Sequence, residues 1–377
     1  MKKAMIVAGE LSGEIYGARL ARSLRNIWGN VDISGMGGTS MEKEGVRILA
    51  PITPVVGLTE GIRHLFQIKK NLGVLTSSLK ESRPDVVILI DYPDFNLRLA
   101  ARAKACGTKV LYYVSPQVWA WRKGRVKRIA SLADKMAVIL PFEIDIYKSA
   151  GLPCEFVGHP ILEELNIDKD KKEVKRDLGL DEERPVISIL PGSRMSEVKR
   201  LLPLMADAVK ELRRQYKGIQ YVLPFAQNLD RGEFDKILRK MDDVKVIDGM
   251  SREALYVSEL ALIASGTAAI EAAFLGVPGI VLYRLSSITY LFGKMLVKVR
   301  FISLVNILLN EEVFPELIQG KATVKNIMDK IKYVLDNREG IVERLKGLRH
   351  LFEDKRASER VAVIAGELAG WNRIKGF

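Results

Sequence analysis

The sequence predicts an α/β protein built as two Rossmann-like domains, each a parallel sheet with helices on both faces. Three observations lead there. Short β-branched runs alternate with helical patterns from the first residues. The same rhythm restarts near residue 186. The chain has 377 residues, enough for two such domains with their own cores. A βαβ alternation implies parallel strands buried on both faces.

In the first half, Ala4–Ala8 reads as a strand and Gly13–Ile27 as a helix. Val31–Gly35 and Val86–Ile90 read as further strands. Asn96–Cys106 is a helix, Lys109–Val114 a strand, and Gly124–Leu132 a helix. Lys135–Leu140 and Cys154–Val157 complete the half. Asn166–Arg184 is charge-dense and poor in apolar residues, and reads as a helix and linker. The second half runs Val186–Leu190, Leu202–Tyr216, Tyr221–Pro224, Phe234–Met241, Lys245–Ile247, Leu260–Ile263, Ala268–Leu275 and Gly279–Tyr283. The expected boundaries are 1–165, 166–345 and a charged helical tail over 346–377. Doubly wound sheets bind ligands beyond the carboxyl ends of their strands, so a site in the cleft between the two sheets is expected.

Composition narrows the function. The chain is 48% hydrophobic and 28% charged, as a globular protein is. Cys106 and Cys154 are too few for a disulfide framework and suit a reducing, cytoplasmic compartment. His64, His159 and His350 form no zinc-type spacing with them. The apolar stretch from Ala4 is too short for a signal peptide, and no run approaches the ~18–20 apolar residues of a membrane span. The net charge of +13 suits nucleic acid, an anionic membrane surface or phosphorylated substrates. No RRM, KH or zinc-finger signature accompanies it, so nucleic acid is set aside.

Four segments carry candidate chemistry. Ala264-Ser-Gly-Thr-Ala-Ala-Ile-Glu271 ends an apolar strand and opens a helix. The free N–H groups of such a helix start bind anions, and Glu271, about one turn on, could accept from ribose hydroxyls. Equally, Ser265 or Thr267 is an ordinary N-cap. Ile189-Leu-Pro-Gly-Ser193-Arg194 sets an arginine at a strand mouth, where it could neutralise a leaving diphosphate. Its plain alternative is a surface arginine with Ser193 as cap. Asp91 leaves the very apolar run Val86–Ile90 and could take a proton from an attacking hydroxyl. Asp94 fits better as a helix N-cap. Tyr112–Arg128 sets Trp119 and Trp121 beside five basic residues, a combination that can stack on sugars and bind phosphate, or form a merely solvated face.

The remaining segments say less. Gly9-Glu-Leu-Ser-Gly13 is a turn without the third glycine of a dinucleotide fingerprint. Gly35-Met-Gly-Gly38 is a second tight loop. His159 reads as a capping or core histidine, or as a residue bordering the site. Asp168-Lys-Asp170 lies in the charged linker and reads as solvated. Leu282–Leu309, interrupted by Lys294, Lys298 and Arg300, suits an anionic lipid interface or packing on the core.

Together these segments resemble the lipid-A-disaccharide synthase family, glycosyltransferase family 19, of the GT-B architecture. The resemblance rests on Gly9–Gly13, Gly37-Gly38 with Glu44-Gly45, Gly57-Leu-Thr-Glu60, Asp91–Asn96, Val114–Arg128, Leu140-Pro-Phe-Glu143, Gly158-His-Pro160, Leu190–Arg194, Ala264–Glu271 and Val305-Asn-Ile-Leu308. It implies transfer, with inversion, from UDP-2,3-diacylglucosamine to 2,3-diacylglucosamine 1-phosphate. The products would be a β(1→6) tetra-acyl disaccharide 1-phosphate and UDP. No metal or cofactor is implied. Asp91 and Arg194 become the catalytic pair, and Ser193, Arg194, Ser265, Gly266, Thr267 and Glu271 the UDP site. Gly9, Glu10, Ser12, Glu60, Asn96, Ser115, Trp119, Trp121, Arg122, His159 and Asn306 become the acceptor, acyl or sugar side. Val55–Leu75 is the candidate acyl stretch. Lipid substrates imply a peripheral association with the anionic inner membrane, and a homodimer is compatible. Two positions depart from the family: Glu14 stands for the usual Asp, and Val305 for a frequent Pro. The competing readings are a UDP-sugar epimerase of the same architecture and a basic membrane-binding scaffold.

Overall fold

A computed structural model describes residues 1–52, 61–119, 124–285 and 300–372. They fall into two compact units, Met1–Pro160 with Asp354–Phe377, and Ile161–Glu353.

The first unit runs β1 Lys2–Ala8, α1 Leu11–Trp28, β2 Val31–Gly37, α2 Thr39–Lys43, β3 Arg47–Pro51, α3 Gly61–Ser82, β4 Val86–Ile90, α4 Pro93–Ala105, β5 Lys109–Tyr113, α5 Arg125–Leu132, β6 Lys135–Val138, α6 Glu143–Lys148 and β7 Cys154–Phe156. Its sheet has the order β3-β2-β1-β4-β5-β6-β7, and every pairing is parallel. Val86–Ile90 are all buried, as a strand covered on both faces requires. The order reverses between β1 and β4, so the loops leaving these two strands part and open a crevice.

The second unit runs α7 Lys171–Asp177, β8 Val186–Leu190, α8 Met195–Gln215, β9 Gln220–Phe225, α9 Asp235–Leu238, β10 Val244–Asp248, α10 Ser251–Tyr256, β11 Leu260–Ala264, α11 Thr267–Phe274, β12 Gly279–Tyr283, α12 Leu304–Leu309, β13 Glu316–Ile318, α13 Val324–Asp336 and α14 Arg338–His350. Its sheet, β10-β9-β8-β11-β12-β13, is also parallel and reverses between β8 and β11.

The chain returns to the first unit at Asp354. Helix α15, Ala357–Leu368, lies against α1. Gly366 makes the fit possible, since a Cβ there would lie 2.1 Å from the Trp28 ring. Trp28 Nε1 donates to the Ala362 carbonyl at 2.8 Å, and Trp371 meets Trp28 edge-on.

Several elements go beyond the sequence reading. Strand β3 has exposed ends, a single buried residue and a terminal Pro51, as an edge strand does, so it shows no apolar run. Helix α3 takes up much of the candidate acyl stretch. Helix α8 begins seven residues before the expected start and carries Pro203 inside it. Among the described residues, no helix is long and apolar enough to cross a membrane.

Candidate active site

Sheet register decides which loops meet in the first unit. Ala8 pairs with Ile90, and Ile90 with Tyr113. Gly9, Asp91 and Val114 therefore leave neighbouring strands at one level. Three non-glycine residues adopt left-handed backbone there: Asp91 at φ 44°, Tyr92 at 43° and Val114 at 64°. Each costs on the order of 1–3 kcal/mol and persists only where its surroundings hold it.

The holding groups are visible. Asp91 N–H donates to the Tyr113 carbonyl, and Val114 N–H to that of Ala137, both at 3.1 Å. The Asp91 carbonyl accepts from Tyr112 Oη at 2.7 Å and from Asn96 Nδ2 at 2.8 Å. Asn96 Nδ2 also reaches the Ile90 carbonyl at 3.1 Å. The Tyr92 ring covers Gly9, where a Cβ would sit 2.2 Å from it. Gly9 is thus the residue that lets Tyr92 close over the first loop.

Burial pushes the Asp91 carboxyl up from its ordinary value to about 7. The charge of nearby Glu10 adds to the rise, and the Tyr92 backbone N–H opposes it. A group poised there can take up a proton at neutral pH. Asp94 does not cap α4: the helix begins at Pro93, with Tyr92 in the capping position. Asp94 sits in the first turn and pairs with Arg125 Nη2 at 2.5 Å.

In the second unit Leu190 pairs with Ile263, and Ala264 with Leu282. The loops after β8, β11 and β12 therefore leave side by side. Gly192, at φ 111°, turns the first of them. Asn228 Nδ2 pins it through the Ser193 carbonyl at 3.1 Å. Arg194, rather than Ser193, occupies the cap position of α8. Its side chain is 73% exposed and pairs with Glu197 at 3.2 Å.

Helix α11 begins at Thr267 with Gly266 in the cap position, and no side chain caps it. The expected capping by Ser265 or Thr267 is not realised. Among the described residues, nothing lies within 4 Å of where a Gly266 side chain would begin. The helix start therefore keeps its bare donors beside open space. Burial pushes the Glu271 carboxyl up to about 7, with Arg252 opposing and Glu164 adding to the rise.

Other candidates have structural roles instead. Asn306, buried in α12, gives Nδ2 to the Phe314 carbonyl and Glu316 Oε1, and its Oδ1 accepts from Val313 and Phe314 N–H. Its amide hydrogen bonds close the loop before β13. Asn96 and Ser115 are likewise buried and turned inward, Ser115 Oγ meeting Tyr147 Oη at 2.7 Å. His159 is a buried core histidine, and burial lowers it to about 3. Glu14 receives Ser40 N–H at 2.7 Å and so steadies the start of α2. Ser12 and Glu10 stand exposed on the first turn of α1 and just before it. Gly57, Glu60, Trp121 and Arg122 lie outside the described residues, as does the middle of Leu282–Leu309.

Within the segments it quoted, sequence reasoning gave no role to Glu143 or Tyr92, and it did not single out Arg252. The signal for Glu143 was a carboxylate placed directly after the apolar run Met136–Phe142.

The lipid-A-disaccharide synthetase family matches residues 4–363. A lipid-A-disaccharide synthase of Syntrophus aciditrophicus is 43% identical over 371 residues, 97% of each chain. One from Geobacter metallireducens is 40% identical over 378 residues, 99% of this chain and 98% of its own. Among solved structures, a UDP-GlcNAc 2-epimerase from Neisseria meningitidis bound to UDP-GlcNAc superposes with a TM-score of 0.68 at 15% identity, covering 96% of this chain and 99% of its own. MurG of Acinetobacter baumannii gives 0.62 at 14% identity, covering 97% and 100%. At such identities these two speak for the fold alone, which is that of GT-B glycosyltransferases and epimerases.

Proposed function

We infer the mechanism from one premise: the chain belongs to the lipid-A-disaccharide synthetase family. It is a hexosyltransferase that forms the lipid A disaccharide from a sugar nucleotide and an acylated glucosamine phosphate. The donor in our proposal is UDP-2,3-diacylglucosamine and the acceptor 2,3-diacylglucosamine 1-phosphate.

The reaction is one displacement. The acceptor 6-hydroxyl oxygen bonds to the donor's anomeric carbon. The bond from that carbon to the diphosphate breaks, its electron pair leaves with UDP, and the configuration inverts. Asp91 takes the hydroxyl proton. Its place at the end of β4, on a turn held by Tyr112 and Asn96, is the observation that carries this role, and a proton affinity raised to about 7 by burial suits it. Arg194 and the open start of α11 receive the developing diphosphate charge, and Glu271 accepts from the ribose. Asn96, Tyr112 and Gly9 hold the turn on which Asp91 sits.

The test measures UDP release and disaccharide together in detergent. Asp91→Asn and Arg194→Ala should each lose at least ~100-fold in kcat/KM, with the fold intact. UDP release without disaccharide would favour hydrolysis or epimerase-like chemistry. Full activity in either variant would remove that residue from the mechanism.

We also propose that the enzyme works at an anionic membrane surface. The charge of +13, exposed Lys127 and Arg128 on α5 and the exposed Phe66 on α3 support it. Binding to vesicles containing anionic lipid should fall as salt rises, and equal binding to neutral vesicles would contradict it.

A further inference from the structure

The second unit holds a cavity of about 240 Å³ where β8 and β11 begin, at the end of the sheet opposite Arg194 and Ser265. Ile187 in β8, Leu212 on α8, Leu260 in β11 and Ile331 on α13 form its floor, and each is 3% exposed or less. Half-buried Tyr216 and Leu335 line its outer part. Glu259 and Arg338 are the two charged residues of the lining. Glu259 directly precedes β11, and Arg338 opens α14. Arg338 Nη2 donates to Glu259 Oε2, whereas Arg338 Nε has no hydrogen-bond partner among the described residues. Exposed Lys171, on α7, interacts electrostatically with both members of the pair. At this edge two cations therefore face one carboxylate.

We propose that this cavity binds a medium-chain carboxylate, with the alkyl chain among the aliphatic side chains and the carboxylate on Arg338. An apolar cavity stays dry, and side chains that face a void lack the contacts an alkyl chain supplies. A cavity of about 150 Å³ takes up benzene. The larger volume here takes a chain of about eight to ten carbons at interior packing density. The rim selects the head group. A guanidinium presents a fork that grips both oxygens of a carboxylate, and Glu259 now occupies one arm of it. Arg338 and Glu259 are 40% and 41% exposed, so the Glu259 carboxylate can turn to water and free the fork. Lys171 offsets the repulsion between Glu259 and an arriving anion. The site stands apart from the proposed reaction: β8 is five residues long, which puts about 15 Å between its start and the loop that bears Arg194.

The experiment titrates hexanoate, octanoate, decanoate and dodecanoate into the full-length protein by calorimetry, below their micelle concentrations and without substrates. Affinity should rise about three- to fourfold per added methylene and level off near ten carbons. Leu335→Trp fills the outer part of the cavity and should weaken decanoate at least ~10-fold. Ile331→Ala enlarges the floor and should move the levelling point about two carbons further. Arg338→Gln should weaken decanoate at least ~5-fold and leave decanol unchanged, because only the acid uses the fork. Glu259→Gln should tighten decanoate at least ~3-fold, because it removes the competing carboxylate. Absence of binding, or an affinity that does not change with chain length, would overturn the proposal. So would wild-type affinity in Leu335→Trp, or an equal loss of decanoate and decanol in Arg338→Gln. If Leu335→Trp does not fold, Ile331→Ala decides the location, and an unmoved levelling point overturns it. The titrations need neither UDP nor turnover. Their failure leaves the sugar-transfer reading standing, and failure of that reading leaves this test intact.

Discussion

At the scale of single residues, Asp91 shows how a buried carboxyl burdens the fold that carries it. Its carboxyl binds a proton more tightly in the folded chain, near 7, than at its ordinary value of 3.8. The sign comes from linkage: the contribution of the group to stability is fully present below about pH 4 and is lost as pH rises through 7. Asparagine carries no such charge. Asp91→Asn should therefore be the more stable protein at alkaline pH, even as it loses turnover. Its advantage in denaturant unfolding should widen by about 2–3 kcal/mol between pH 5 and pH 8. If the gap stays constant across that range, the Asp91 carboxyl is not raised in the folded chain. The residue itself was legible in the sequence, because an aspartate ending the run Val86–Ile90 has few other uses. Nearby Asp94 was harder to read. Its residue type suits a cap, but the left-handed Tyr92 starts the helix two residues before a side-chain cap at Asp94 would allow.

At the scale of elements, strands were read well and their supports were not. Val186–Leu190, Gly279–Tyr283 and Val86–Ile90 agree to the residue, because central parallel strands are continuous apolar runs between turn residues. Edge strands β3 and β13 lack that signal, since much of each is only partly covered. The candidate site was legible where it ends a strand, as in Arg194, Asp91 and Ser265–Thr267. It was illegible where a side chain turns inward: Asn306 and Asn96 are polar residues of a kind that binds ligands, and only the partners in space show that they bind backbone. Gly9 is a case of the same kind. Its loop has the look of a place for substrate, and its lack of a side chain is taken up by Tyr92. Gly9→Ala should push the Tyr92 ring away and loosen the turn under Asp91, costing about 1–3 kcal/mol of stability. Turnover should fall while UDP-sugar affinity, which our proposal assigns to the second unit, stays within about twofold. Unchanged turnover in a stable Gly9→Ala protein would mean that the ring does not hold the turn.

At the scale of the whole molecule, the two sheets share one logic. Each reverses its strand order beside its first strand, and each carries its candidate residues on the loops leaving that point, Gly9 and Asp91 in one, Arg194 and Ser265 in the other. This repetition was visible in the sequence as a rhythm that restarts. What the rhythm could not show is that the last helix belongs with the first, because the pairing of α15 with α1 joins residues more than three hundred positions apart and depends on one small residue, Gly366, against Trp28. A Cβ at Gly366 would lie 2.1 Å from the Trp28 ring, so Gly366→Ala must displace a buried tryptophan or the helix that faces it. The cost, about 1–3 kcal/mol, should fall on the unit that contains Asp91. Hydrogen–deuterium exchange should then quicken in β1, β4 and α1 and stay as it was in β8, β11 and β12. Equal loss of protection in both units would show that the second unit, too, depends on the end of the chain, and that the chain unfolds as a single cooperative body.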